Sequence, residues 1–210
     1  MVSPPPLRRL QHVGVRVHDL DEAMAFYRDV LGLRVSDRYD PGDNPHGPWG
    51  ICFMRCGDEH HEVSLVAFPK EAQTDLPASG FRAPLAAGLH HLAFEAASRE
   101  EFDRWLSHLR GRGIEFAYGP VVHSPAHPEG DGTLGENRAV YFHDPSGNII
   151  EIFCDMARMD PASNRVGEAW FRERLARDGH SPSAADPPSA WRPGVSSMAG
   201  ARGGRSKNIS

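Results

Sequence analysis

The sequence predicts an α+β fold: two tandem β-α-β-β-β modules forming a curved mixed sheet around a central cleft. Three observations predict it. First, Leu10-Gln11-His12-Val13-Gly14-Val15-Arg16-Val17 realigns with Leu89-His90-His91-Leu92-Ala93-Phe94-Glu95-Ala96 at an offset of 79 residues. Second, the same offset carries Ala23, Phe26, Tyr27 and Val30 onto Phe102, Trp105, Leu106 and Leu109 without a gap. A repeat that preserves both register and helix face is a duplication. Third, each helical pattern is followed by three short strand-like runs. Neither unit can close a core alone, so pairing them buries both.

The elements follow in order. The first module occupies 9–80. After its first strand, Asp19 has the side chain to cap a helix whose apolar side is Ala23, Phe26, Tyr27, Val30 and Leu31, and Gly32 stops it. Strand-like runs at Leu33–Arg38, Trp49–Arg55 and Glu62–Phe68 complete the module. The second module occupies 88–156. Ser98 and Glu101 have capping-box spacing before Phe102, Trp105, Leu106 and Leu109, and Gly111 ends that helix. Runs at Ile114–Tyr118, Arg138–Phe142 and Ile149–Cys154 follow, the last behind the turn signal Asp144-Pro145-Ser146-Gly147. Val166, Ala169, Trp170 and Leu175 predict a C-terminal helix over 162–177 that covers the pocket or makes a dimer contact. Residues 1–8 are expected to be flexible. Residues 178–210, dominated by Gly, Pro, Ser and Ala, are expected to be a disordered tail.

Composition narrows the function classes. The 210 residues carry 23 Lys and Arg against 28 Asp and Glu, a net charge of -5, which disfavours nucleic acid as a partner. No apolar run is long enough to span a membrane, and the N-terminus has no secretory h-region. Three cysteines argue for a reducing compartment, hence a cytoplasmic protein without a disulfide framework. Histidine is the outlier, with 12 copies. It titrates near neutral pH and is the commonest metal ligand.

The repeat puts His12 and His91 at equivalent places on the first strand of each module. Either alone reads as a hydrogen-bonded core histidine. As a pair related by pseudo-symmetry they become candidate ligands. Glu151 stands inside Ile149-Ile150-Glu151-Ile152-Phe153, where a carboxylate needs a salt-bridge partner or a metal. Two histidines and one carboxylate make the facial triad that holds non-haem Fe(II) with open positions.

At these residues the chain resembles the vicinal oxygen chelate superfamily, the fold of glyoxalases and extradiol dioxygenases. Its nearest resemblance is to small one-domain type I extradiol ring-cleavage enzymes. Their C-terminal signature, apolar-Tyr-x-x-Asp-Pro-x-Gly-x-x-x-Glu, is matched by Val140-Tyr141-Phe142-His143-Asp144-Pro145-Ser146-Gly147-Asn148-Ile149-Ile150-Glu151. His61-Glu62-Val63-Ser64-Leu65 resembles the stretch that carries the family's acid–base histidine. Gly119-Pro120-Val121-Val122-His123 resembles the stretch that carries a second-sphere histidine. The resemblance implies a metal cleft with His12, His91 and Glu151 on Fe(II) (Mn(II) suits the same ligands), His61 as acid–base, and Tyr141 and His123 as hydrogen-bonding groups. It implies a catecholic aromatic substrate and O2, and aromatic compound catabolism; separately, an exposed pseudo-symmetric sheet edge makes a homodimer or higher homo-oligomer an expectation.

Two departures sit where substrate is gripped. The gap from His123 to the signature is longer than the family's, so His127 in the extra stretch competes with His123 for its role, and Tyr118 stands where relatives often have Arg. Strand alternation puts His61 and Glu62 on opposite faces. His61 facing the metal means a dioxygenase. Glu62 facing it means a glyoxalase-like isomerase or lyase. A non-enzymatic drug-binding protein would need no triad. His46 is expected to line the pocket, while His18, His90, His108, His143 and His180 receive no role, with His90 alternating away from the cleft.

Overall fold

The computed structural model describes residues 10–44, 48–72, 89–160, 162–163 and 165–188. His46, the expected flexible N-terminus at 1–8 and the expected tail beyond 188 lie outside the described residues. The chain divides into two compact units, Met1–Gly88 with His143–Asn148, and Leu89–Phe142 with Ile149–Ser210.

The first unit runs β1 (Val13–Val17), α1 (Leu20–Asp29), β2 (Arg34–Tyr39), β3 (Gly50–Arg55) and β4 (Val63–Ala67). Its four-stranded sheet has the order β1-β4-β3-β2. β1 and β4 are parallel, from Val13 opposite Val63 to Val17 opposite Ala67, and the other pairs are antiparallel. Parallel neighbours need a long crossover, and here α1, β2 and β3 make it. Asp19 caps α1 as its sequence predicts, its Oδ1 accepting from Glu22 N at 3.0 Å. The helix buries Leu20, Ala23 and Tyr27. Phe26 and Val30 stay half-buried. Gly32, at φ 73°, takes the left-handed turn that ends it.

The second unit repeats the plan with β5 (Leu92–Glu95), α2 (Arg99–Gly111), β6 (Phe116–His123), β7 (Asn137–His143) and β8 (Ile149–Cys154). The sheet order is β5-β8-β7-β6, with β5 and β8 parallel. Ser98 Oγ accepts from Glu101 N at 3.2 Å and caps α2, which buries Phe102, Leu106 and Leu109. A two-strand hairpin follows, β9 (Met159–Asp160) with β10 (Arg165–Val166), and then α3 (Glu168–Arg177). That hairpin takes the residues with which the C-terminal helix was expected to begin.

β6 departs from expectation. Gly119-Pro120 reads as a break, yet the strand runs through it to His123. Proline is tolerated because β6 is an edge strand and its register shifts between Tyr118 and Val121. Gly119 has φ 86°, and a Cβ there would meet Ala139 O at 2.7 Å. Tyr118 and His123 thereby belong to one strand. Among the described residues, no helix is long and apolar enough to cross a membrane.

Candidate metal and proton-transfer site

Each unit presents its histidine immediately before its first strand. In the first unit, His12 Nδ1 donates to Gln11 Oε1 at 2.6 Å. The amide's orientation is set from its other end, where Gln11 Nε2 donates to His61 O at 2.6 Å and Glu59 Oε2 at 3.1 Å. The His12 ring lies beside that of His61, with centroids 4.7 Å apart. Phe53 flanks His61 at 4.8 Å, and His60 Nδ1 is 3.0 Å from His61 Nδ1. Burial, then the positive charges His12 and His60 would carry, hold the His61 imidazole below the usual histidine range against the pull of Glu62.

Strand alternation does not decide between His61 and Glu62, because β4 begins only at Val63. Contacts within the unit engage Glu62. Glu62 Oε2 accepts from Cys56 N at 3.0 Å and Gly57 N at 3.4 Å, so this carboxylate closes its own loop. The two sheets can also be compared register by register. Gly14 pairs with Ser64 in the first, and Ala93, its repeat equivalent, pairs with Glu151 in the second. Where the second sheet holds its buried carboxylate, the first holds buried Ser64.

In the second unit, His91 Nε2 lies 3.0 Å from Glu151 Oε2. His91 precedes β5, whose Ala93 is registered against Glu151. Glu151 is 3% exposed, and its Oε1 accepts from Asn137 Nδ2 at 3.2 Å. Tyr141 hydrogen-bonds Glu151 and stands 3.0 Å from His123 Nε2. Burial first, then the Glu151 and Asp131 charges, push the Tyr141 phenol far above its usual range, so it acts as a neutral hydroxyl. His123 Nδ1 is 2.9 Å from both Asp131 Oδ2 and Thr133 Oγ1, and Tyr118 donates to Asp131 Oδ2 at 3.0 Å. Although burial alone would raise it, hydrogen bonds from Thr133 and Tyr118 and the His123 charge keep the Asp131 carboxyl below the usual range.

The second unit thus brings together His91, Glu151, Tyr141 and His123, and the first brings together His12 and His61. His127 faces elsewhere. Its Nδ1 accepts from Glu129 N at 3.1 Å, and its Nε2 lies 3.1 Å from Asp178 Oδ2, outside hydrogen-bond geometry. His127, Glu129 and His180 bring ligand-type atoms within 4.8 Å of one another. Arg138 already serves this cluster, Nη2 donating to Glu129 Oε2 at 3.1 Å and Asp178 Oδ2 at 3.0 Å. An Nδ1 that accepts leaves the proton of a neutral imidazole on Nε2, so the cluster reads as an ion-paired clasp. Asp178 and His180, expected in the disordered tail, are part of it. His90, which received no role in the sequence, has Nδ1 2.7 Å from His91 Nδ1, and both residues precede β5. Sequence reasoning passed over Gln11, Asp131, Thr133 and Asn137. For Gln11 a signal existed, since the repeat makes it the partner of His90.

The profile of the Glyoxalase/Bleomycin resistance protein/Dioxygenase superfamily matches residues 9–152, most of the chain, and the protein belongs to that superfamily. Metapyrocatechase 2 of Cupriavidus necator is 30% identical over 164 residues, 78% of this chain and 40% of its own length. Biphenyl-2,3-diol 1,2-dioxygenase 3 of Rhodococcus globerulus is 32% identical over 148 residues, 70% of this chain and 63% of its own. The chain therefore spans less than two thirds of either relative. Methylmalonyl-CoA epimerase of Mus musculus is 37% identical over 90 residues, 42% of this chain and 46% of its own. A crystal structure of a glyoxylase/bleomycin resistance protein/dioxygenase domain from Frankia sp. EAN1pec shares the fold, with TM-score 0.50 at 21% identity over 71% of this chain and 93% of its own.

Proposed function

We propose that the protein is an extradiol dioxygenase that opens the ring of a catecholic aromatic with O2, using Fe(II), or Mn(II) in its place, on His12, His91 and Glu151. The donor set suits the ion. Two neutral imidazoles and one carboxylate satisfy a divalent metal and leave positions open. His91 Nε2 and Glu151 Oε2, 3.0 Å apart, are close enough that both would hold one divalent ion. A bound Fe(II) supplies the coordination positions and the redox chemistry that let a catechol react with O2.

The chain's own groups then manage protons. His61, kept neutral by burial, takes a proton from a catechol hydroxyl and later returns it. When substrate binds, Tyr141 turns its one hydroxyl hydrogen from Glu151 to a substrate oxygen. His123 Nε2 holds Tyr141 in place, itself oriented by Asp131 and Thr133 on Nδ1. The observation that carries this reading is the Tyr141 hydroxyl, held between Glu151 and His123. The biphenyl-2,3-diol 1,2-dioxygenase relative supports it.

The epimerase relative favours the second reading, a metal-dependent isomerase or lyase that gains a ligand from Glu62. Two observations count against it. Glu62 is engaged by Cys56 and Gly57, and Ser64 occupies the register position of Glu151. A non-enzymatic binder has no use for the triad or for the proton-handling chain. The test is anaerobic reconstitution with Fe(II), then catechols and air. A yellow ring-fission product with O2 uptake is expected. His61→Phe is expected to abolish ring cleavage while iron stays bound, and turnover at the wild-type rate in that variant removes His61 from its role. Activity with Zn(II) or Ni(II) without O2 uptake indicates the isomerase. No metal bound under any condition indicates the binder.

A further inference from the structure

The residue before each proposed ligand touches that ligand's Nδ1, and the two preceding residues are repeat equivalents. Gln11 Oε1 is 2.6 Å from His12 Nδ1, and His90 Nδ1 is 2.7 Å from His91 Nδ1. We propose that Gln11 and His90 are paired positioning residues, each fixing the ring and tautomer of the histidine that follows so that its Nε2 faces the metal. This rests on the assignment of His12 and His91 as ligands.

The two devices differ chemically. An amide oxygen only accepts, so Gln11 places the His12 proton on Nδ1 and leaves the Nε2 lone pair ready. Gln11 cannot turn round, because its Nε2 is committed to His61 O and Glu59 Oε2. The same amide therefore sets the backbone of His61, the proposed acid–base group, against the ligand His12. An imidazole nitrogen either donates or accepts. Without an ion, His91 Nε2 faces Glu151 Oε2 at 3.0 Å and is placed to donate to it, so its Nδ1 accepts from His90. With an ion on Nε2, the His91 proton sits on Nδ1 and His90 accepts it. Partners of this kind, on the far nitrogen of a ligating histidine, raise metal affinity by about 10- to 100-fold.

The test measures Co(II) affinity of the full chain by competition with a chromophoric chelator. Gln11→Leu and His90→Leu are each expected to weaken binding about 10- to 100-fold, with the apo melting temperature unchanged. Gln11→Glu keeps an acceptor for His12, and His90→Gln keeps one for His91, so both are expected to recover most of the lost affinity. Gln11→Glu cannot donate to His61 O, so its ring-cleavage kcat is expected to fall although metal binds. Leucine variants that bind Co(II) like wild type, or acceptor variants that recover nothing, overturn the proposal. His12→Ala and Glu151→Gln separate the two levels. If they lose Co(II) and the leucine variants do not, positioning alone fails. If they bind Co(II) like wild type, the ligand assignment fails and positioning with it.

Discussion

Tyr141 shows how one side chain acquires a chemical task from its surroundings. A phenol on a sheet would ordinarily pack and do little else. Here burial and the Glu151 charge push its ionisation well above the usual phenol range, and His123 Nε2 lies 3.0 Å from its oxygen. On the proposed reading, a neutral hydroxyl held at this point is placed to stabilise charge developing on a substrate oxygen. Tyr141→Phe keeps the ring that meets His91 edge-on, with centroids 5.9 Å apart, and removes only the hydroxyl. The expected result is a kcat lower by about 10²- to 10³-fold with metal content unchanged, read by steady-state kinetics beside metal analysis. A variant that turns over at the wild-type rate would remove Tyr141 from the proton path.

At the scale of elements, α3 is built into the core although it lies beyond the stretch that matches the superfamily. Phe171, Arg174 and Leu175 are each 0% exposed. Arg174 Nη1 donates to Glu136 Oε2 at 3.2 Å, and its Nη2 donates to Asn137 O at 3.0 Å. Asn137 in turn donates to Glu151, so the helix braces the start of β7 where the carboxylate partner sits. Phe171→Ala leaves a cavity that α3 cannot close, and the expected loss is about 3–5 kcal/mol, measured by urea unfolding of the apo chain. A loss under about 1 kcal/mol would mean α3 packs only peripherally. The repeated modules were legible in the sequence because helix and strand periodicities report burial directly, and Ala23, Tyr27, Phe102, Leu106 and Leu109 are buried as their spacing demands. His91 was offered by the repeat, Glu151 by its place in an apolar strand, and Tyr141 and His123 by resemblance to the family's signature stretches. Asp131 and Thr133 were not, since they reach His123 only by the path of an irregular loop, and no periodicity encodes such a path.

For the molecule as a whole, a clasp between the β6–β7 loop and the end of α3 gives a pH dependence of stability. His127 faces Asp178, Glu129, His180 and Arg174. Burial first, then the Arg174 charge, holds its imidazole below the usual 6.5 despite the nearby carboxylates. The geometry agrees, since Nδ1 accepts a backbone hydrogen bond and so carries no proton. The unfolded chain therefore binds this proton near pH 6.5, and the folded chain only at lower pH. Between the two values the unfolded state holds more protons, so stability falls as pH drops through 6.5 toward the folded value. His61, also held low, acts in the same direction. Glu136, whose carboxyl burial pushes above its usual 4.5, opposes it over the part of the window it reaches. His127→Gln keeps an acceptor for Glu129 N and cannot charge, so it removes only the His127 share. The expected outcome is that wild-type stability drops more steeply than that of the variant between neutral pH and about pH 5.5, followed by urea unfolding at each pH. Equal slopes would mean that His127 takes up its proton as readily folded as unfolded, and would leave the clasp with no part in acid sensitivity.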